Sequence, residues 1–167
     1  MIRLTKTLMI VSIFCGLAAC GPSSGDATSD AGQGGAGGNG PDAGQQLSPE
    51  AQAFLGQWNY VSGTETNQCG SDAADTEPVT AADGTVTFSA GTGPNQLVVD
   101  DAGCIVTVTV SGTTATGQPG TVCPGNLTTS SLLYTLSGGT LREQGSGQIE
   151  QGGTYCTVSD DAMLTRD

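Results

Sequence analysis

The chain has no histidine, and its four basic residues are Arg3, Lys6, Arg142 and Arg166. Without histidine there is no Ser-His-Asp or Cys-His catalysis and no His-ligated metal site. A lysine Schiff base or Ser-Lys dyad would have to use Lys6, which stands at the extreme N-terminus. Sixteen acidic residues against four basic ones exclude nucleic-acid binding, because phosphate contacts need a basic surface. Aromatics are scarce: one Trp, three Tyr and three Phe in 167 residues. No glycine loop followed by a helix could cradle a phosphate. The longest apolar run, Leu8 to Leu17, is about ten residues, and a membrane-spanning helix needs roughly 20.

That short run has its own meaning. Arg3 and Lys6 precede it without any acid, and Leu17-Ala18-Ala19-Cys20 follows. A positive start, a short apolar stretch and small residues at a cleavage point make a secretory signal peptide, over residues 1–19. Leu17-Ala18-Ala19-Cys20 resembles the lipobox of bacterial lipoproteins at all four positions. The resemblance implies a diacylglyceryl group on the Cys20 sulfur, cleavage before Cys20, and an N-acyl chain on the new terminus. Two or more acyl chains make a stable anchor, at about 0.8 kcal/mol per buried CH₂. The expected location is the bacterial cell envelope, with Gly21 after the cysteine favouring the outer membrane. Cleavage also removes Arg3 and Lys6, leaving Arg142 and Arg166 against all sixteen acids. Such a balance keeps a protein soluble and self-repelling near a surface.

Residues 20–46 contain the lipid-bearing cysteine and then Gly, Ala, Ser, Asn, Asp, Gln, Pro and one Thr, with no aromatic or large aliphatic side chain. Such a segment cannot bury enough apolar surface to offset its ordering entropy. It reads as a flexible linker with a mean reach of roughly 25–30 Å. The stretch Gly34 to Asp42 has the look of a calcium-binding nonapeptide, but it occurs once, and such repeats need stacked copies to form a core.

From residue 47 to 167 Val, Leu, Thr, Tyr and Phe return between Gly-rich turns, predicting one domain. Cys69, Cys104, Cys123 and Cys156 fall within it, an even number in an exported domain, so two disulfides are expected. Three pairings are open. Cys104–Cys123 would flank a predicted hairpin, and Cys69–Cys156 would then tie an early strand to a late one. A zinc site is disfavoured by the missing C-x-x-C spacing and the missing histidine.

Ser48-Pro49-Glu50 predicts a short helix, with Ser48 as N-cap and Pro49 at the first helical position, ending near Gly56. The rest predicts strands near 57–66, 84–90, 95–100, 104–111, 113–118, 130–137, 140–146, 148–158 and 162–166. Alternation in Ile105 to Val110 places Cys104, Val106, Val108 and Val110 on one face. Turn signals include Asp101-Ala102-Gly103 and Ser159-Asp160-Asp161. The fold class is therefore all-β, a small antiparallel up-and-down barrel or a β-sandwich of eight or nine short strands.

Phe54-Leu55-Gly56-Gln57-Trp58, after a helical turn and opening the first strand, resembles the G-x-W start of lipocalin-type barrels. The resemblance implies that Trp58 closes one barrel end and that a late arginine, Arg166, packs across it. Three functions then compete. One is an interaction β-domain meeting an envelope protein or polymer. The second is a lipocalin-like carrier of a small apolar ligand or lipid, its cavity lined by Phe88, Val106, Val108, Leu132 and Tyr134. The third and weakest is a hydrolase using Glu143 and Glu150, with Asp100-Asp101 and Asp160-Asp161 assigned to turns. No catalytic residue, metal or dissociable cofactor is expected. Asn126-Leu127-Thr128 matches a glycosylation sequon, without significance in a bacterial export pathway.

Overall fold

The computed structural model describes residues 46–166. The expected signal peptide, the lipidation expected at Cys20 and most of the expected linker lie outside these residues.

The element order is a short helix α1 (Pro49–Gln52) followed by ten strands. They are β1 (Gly56–Cys69), β2 (Asp75–Thr80), β3 (Thr85–Ala90), β4 (Gln96–Asp101), β5 (Cys104–Ser111), β6 (Thr114–Gly117), β7 (Val122–Cys123), β8 (Leu127–Ser137), β9 (Thr140–Gln151) and β10 (Thr154–Thr165). All pairings are antiparallel, and β10 returns to pair with β1, so the sheet closes. The closed wall is β1-β3-β4-β5-β6-β8-β9-β10, an up-and-down barrel of lipocalin-like plan; β2 is added beside β1, and β7 beside β8. Closure removes most of the free strand edge that an open sheet would expose.

Local chemistry accounts for the hairpins. Gly138-Gly139 and Gly152-Gly153 join β8 to β9 and β9 to β10, all four with positive φ. Two-residue hairpin turns that follow the sheet twist need φ > 0 at both positions, which glycine adopts without steric cost. At the N-terminus Ser48 Oγ accepts from Ala51 N–H at 3.1 Å and caps α1.

Three strand expectations are corrected. The turn expected at Ser159-Asp160-Asp161 is the interior of β10, and the strand expected at 148–158 instead straddles the Gly152-Gly153 turn. Asp160 accepts a hydrogen bond from the Gly145 backbone, and Asp161 is held by Arg142, so both acids are accommodated within a ladder. Asp101 ends β4, and only Asp100 does turn work, accepting from Gly103 N–H at 2.9 Å. β2, with Pro78 and two acids, was not expected as a strand. Having only β1 as a partner, it can carry a proline that a central strand could not.

The two ends of the barrel differ. At the lower end lie α1, segment 91–95, the turns at 112–113 and 138–139, and Arg166; backbone bonds Ser48 N–H to Pro94 O, Val110 N–H to Asn95 O and Leu136 N–H to Thr113 O, each 2.8 Å, tie it together. Phe54, Trp58, Val86, Phe88, Leu97, Val99, Val106, Val108, Leu141 and Leu164 fill the interior there, each at most 2% exposed. At the upper end are two disulfides. Cys69–Cys156 joins directly opposed residues of β1 and β10 with Cα atoms 4.0 Å apart, and Cys104–Cys123 joins β5 to β7 at 4.6 Å.

Candidate functional site in the barrel interior

Trp58 stands where β1 enters the barrel and is 1% exposed. Its indole N–H donates to the Phe54 carbonyl at 2.9 Å, and the Arg166 guanidinium lies 4.3 Å from its ring centroid while also donating to the Ala53 carbonyl. A cation over an indole face is attracted by the ring's negative π cloud, so this contact fastens the C-terminus to the helix end. Phe88 packs edge-on against Tyr134 at 4.9 Å and tilted against Phe54 at 5.9 Å. Of the residues expected to line a cavity, Phe88, Val106, Val108 and Tyr134 do face inward, but they pack into the core; only Leu132 is half-exposed.

Above this layer the interior becomes polar. Glu143 projects inward from β9, in phase with Leu141, and is 3% exposed. The Tyr134 hydroxyl, on the neighbouring strand, donates to its Oε1 at 3.1 Å. The Tyr60 hydroxyl lies 2.8 Å from Glu143 Oε2 and 3.1 Å from Asp101 Oδ2. One hydroxyl proton cannot serve both carboxylates. A proton on Glu143 completes the set: its carboxyl then donates to the Tyr60 oxygen, and Tyr60 donates to Asp101.

The electrostatics agree. Burial, then the charges of Asp160 and Asp101, push the Glu143 carboxyl up to about 8, against the opposing pull of the two tyrosine bonds. Both the burial and the neighbouring charges favour the protonated, neutral form of Glu143. Asp160 is pushed up to about 6 by burial and by Asp101 and Glu65, partly offset by a hydrogen bond from the Gly145 backbone. Burial, then the facing carboxylates Glu143 and Asp101, also hold both tyrosine hydroxyls well above the ordinary phenol range.

Gly145 has a structural reason to be glycine, since a Cβ there would collide with the Asp160 carboxylate. Glu65 faces Asp160 across β1 and β10, and Asn67 Nδ2 donates to Glu65 Oε1 at 3.1 Å. Glu65, Asn67, Val158, Asp160 and Leu132 are each half-buried, so the upper interior admits water where the lower does not. Among the described residues no basic side chain enters this cluster, and no group of three or more acids or cysteines is arranged to hold a metal ion.

The expected acid pair Glu143 and Glu150 is not brought together. Seven positions separate them on one strand, so Glu143 points in and Glu150 points out. The acids that do converge are Glu143, Asp101, Asp160 and Glu65, together with Tyr60. Tyr60 and Glu65 escape a reading by alternation because Val61 is an extra residue: a bulge between Tyr60 and Ser62 puts both inside although five positions separate them. Glu143 carried a usable signal, since it repeats the phase of Leu141.

No protein-family model matches the chain, and neither a curated protein nor a solved structure does.

Proposed function

We propose that this protein is a lipid-anchored carrier that holds a small ligand in the upper half of its barrel. The anchor rests on Leu17-Ala18-Ala19-Cys20, and the linker up to residue 46 would hold the barrel clear of the lipid headgroups. The observation that carries the reading is the division of the interior: a closed barrel whose lower half is filled by apolar side chains and whose upper half is polar and open to water.

The lining restricts the ligand. Glu65, Asp101 and Asp160 offer negative charge or hydrogen-bond acceptors, and no base stands among them. A free fatty acid or other anion would enter a repulsive field and strip its own hydration for no partner. An apolar tail could meet Leu132 and Val158, while the head must be neutral or positive and able to donate hydrogen bonds.

Native mass spectrometry of the full chain, purified from an exporting bacterial host, tests this. The expected result is a non-covalent adduct, lost on denaturation, whose head is neutral or cationic. A bound fatty acid, or no adduct beyond the covalent acyl groups expected on Cys20, would contradict it. The same spectrum should show a mass about four units below the reduced barrel, from two disulfides.

A further inference from the structure

The outer face of β8, β9 and β10 changes character along its length. Toward the lower end its polar side chains satisfy one another. Ser131 and Ser146 bond at 2.7 Å, and Asp161 accepts from Arg142 and from Gln144. Toward the upper end a depression of about 450 Å³ is lined by Asn126, Thr128, Gln148, Glu150, Gly152 and Tyr155. Alternation puts Gln148 and Glu150 outside because Ile149 between them faces in. Register aligns Gln148 with Thr128 on one side, and Glu150 with Tyr155 on the other. None of these side chains bonds to another described side chain, and Tyr155 is 66% exposed although it is one of only three tyrosines.

From these features we infer that this groove binds a neutral polysaccharide chain. An exposed, strand-mounted tyrosine offers a flat, amphipathic surface at low entropic cost, and the C–H face of a pyranose ring stacks on such a surface. Unpaired amide, hydroxyl and carboxylate groups around it meet sugar hydroxyls, which donate and accept alike. The volume falls in the range of small-molecule sites, yet the groove is open along the surface, as a chain rather than an enclosed ligand requires. Glu150 in the lining and the excess of acids over bases exclude an anionic glycan. The site lies outside the barrel wall, so it is independent of the interior proposed as the carrier site.

The test is saturation-transfer NMR on the full chain with chitotetraose, cellotetraose and tetragalacturonate. The expected result is transfer to pyranose C–H protons of at least one neutral tetrasaccharide and none to the anionic one. Affinity should fall about tenfold in Tyr155→Ala, and stay within about twofold in Tyr155→Phe, which keeps the ring. Gln148→Ala should weaken binding about threefold, from one lost hydrogen bond at a solvated site. Glu143→Gln, inside the barrel, should leave binding unchanged. No binding of either neutral tetrasaccharide at about 5 mM, equal binding by Tyr155→Ala, or preference for tetragalacturonate would overturn the proposal.

Discussion

The lower and upper halves of the barrel use the same strands for opposite ends. Below, alternation puts Val86, Phe88, Leu97, Val99 and Val108 against Phe54 and Trp58, and burial of apolar surface holds the fold together. Above, alternation turns Asp101, Glu143 and Asp160 inward, and the bulge at Val61 adds Glu65, each at a cost in dehydration. The upper half is held instead by two covalent staples and by the mutual bonds of Tyr60, Tyr134 and Glu143. A small domain with few aromatics thus concentrates its apolar residues at one end and leaves the other wet.

Breaking the lower half should have the largest effect. Trp58→Ala removes a buried ring, its bond to Phe54 and the surface under Arg166, and should cost about 5 kcal/mol in a denaturant titration. Breaking the upper half should depend on which staple goes. Replacing Cys69 and Cys156 by alanine frees a sequence separation of 87 and should cost about 4.5 kcal/mol; the Cys104 and Cys123 pair, separated by 19, should cost about 3 kcal/mol. Equal losses would mean that loop closure is not what the staples contribute.

A milder change sharpens the electrostatic difference. Glu143 is raised from its ordinary range to about 8, so the native state holds a proton that the unfolded chain releases. Stability is therefore lost as pH rises from about 4.5 through 8, and the full penalty stands above 8. Asp160, raised to about 6, adds a second loss between about 4 and 6. Glu143→Gln keeps a neutral partner for both tyrosines and should gain on the order of 2–3 kcal/mol over the wild type at pH 9 and nothing at pH 4. Thermal melts across that range read the gap directly. At the bottom of the scale, Arg142→Ala breaks an exposed pair with Asp161 and should leave the melting temperature unchanged within error.

Much of the lower half was legible in the residues. The run from Cys104 to Val110 alternates as a half-buried strand must, and glycine-marked turns set the hairpins; at the upper end, the even cysteine count pointed to two disulfides. The upper half was harder because its determinants are not local. Ser159-Asp160-Asp161 is composed like a turn and becomes strand only because β9 supplies Arg142 and Gln144 for Asp161 and Gly145 for Asp160. Bulges at Val61 and between Thr129 and Ser131 shift the phase of β1 and β8, so counting by twos misassigns the faces beyond them. β2 hides behind Pro78, which only an added edge strand tolerates.

The most direct test of a polar, anion-rejecting upper chamber is amide chemical-shift mapping of the full chain with three probes of equal tail: octylammonium, octanol and octanoate. Octylammonium and octanol should give saturable shifts at Tyr60, Glu65, Asp160 and Gly145, with little change at Trp58, and octanoate should give none. Octanoate shifting those residues as strongly as octylammonium, or all three probes acting only on the lower end or the outer wall, would contradict the carrier reading.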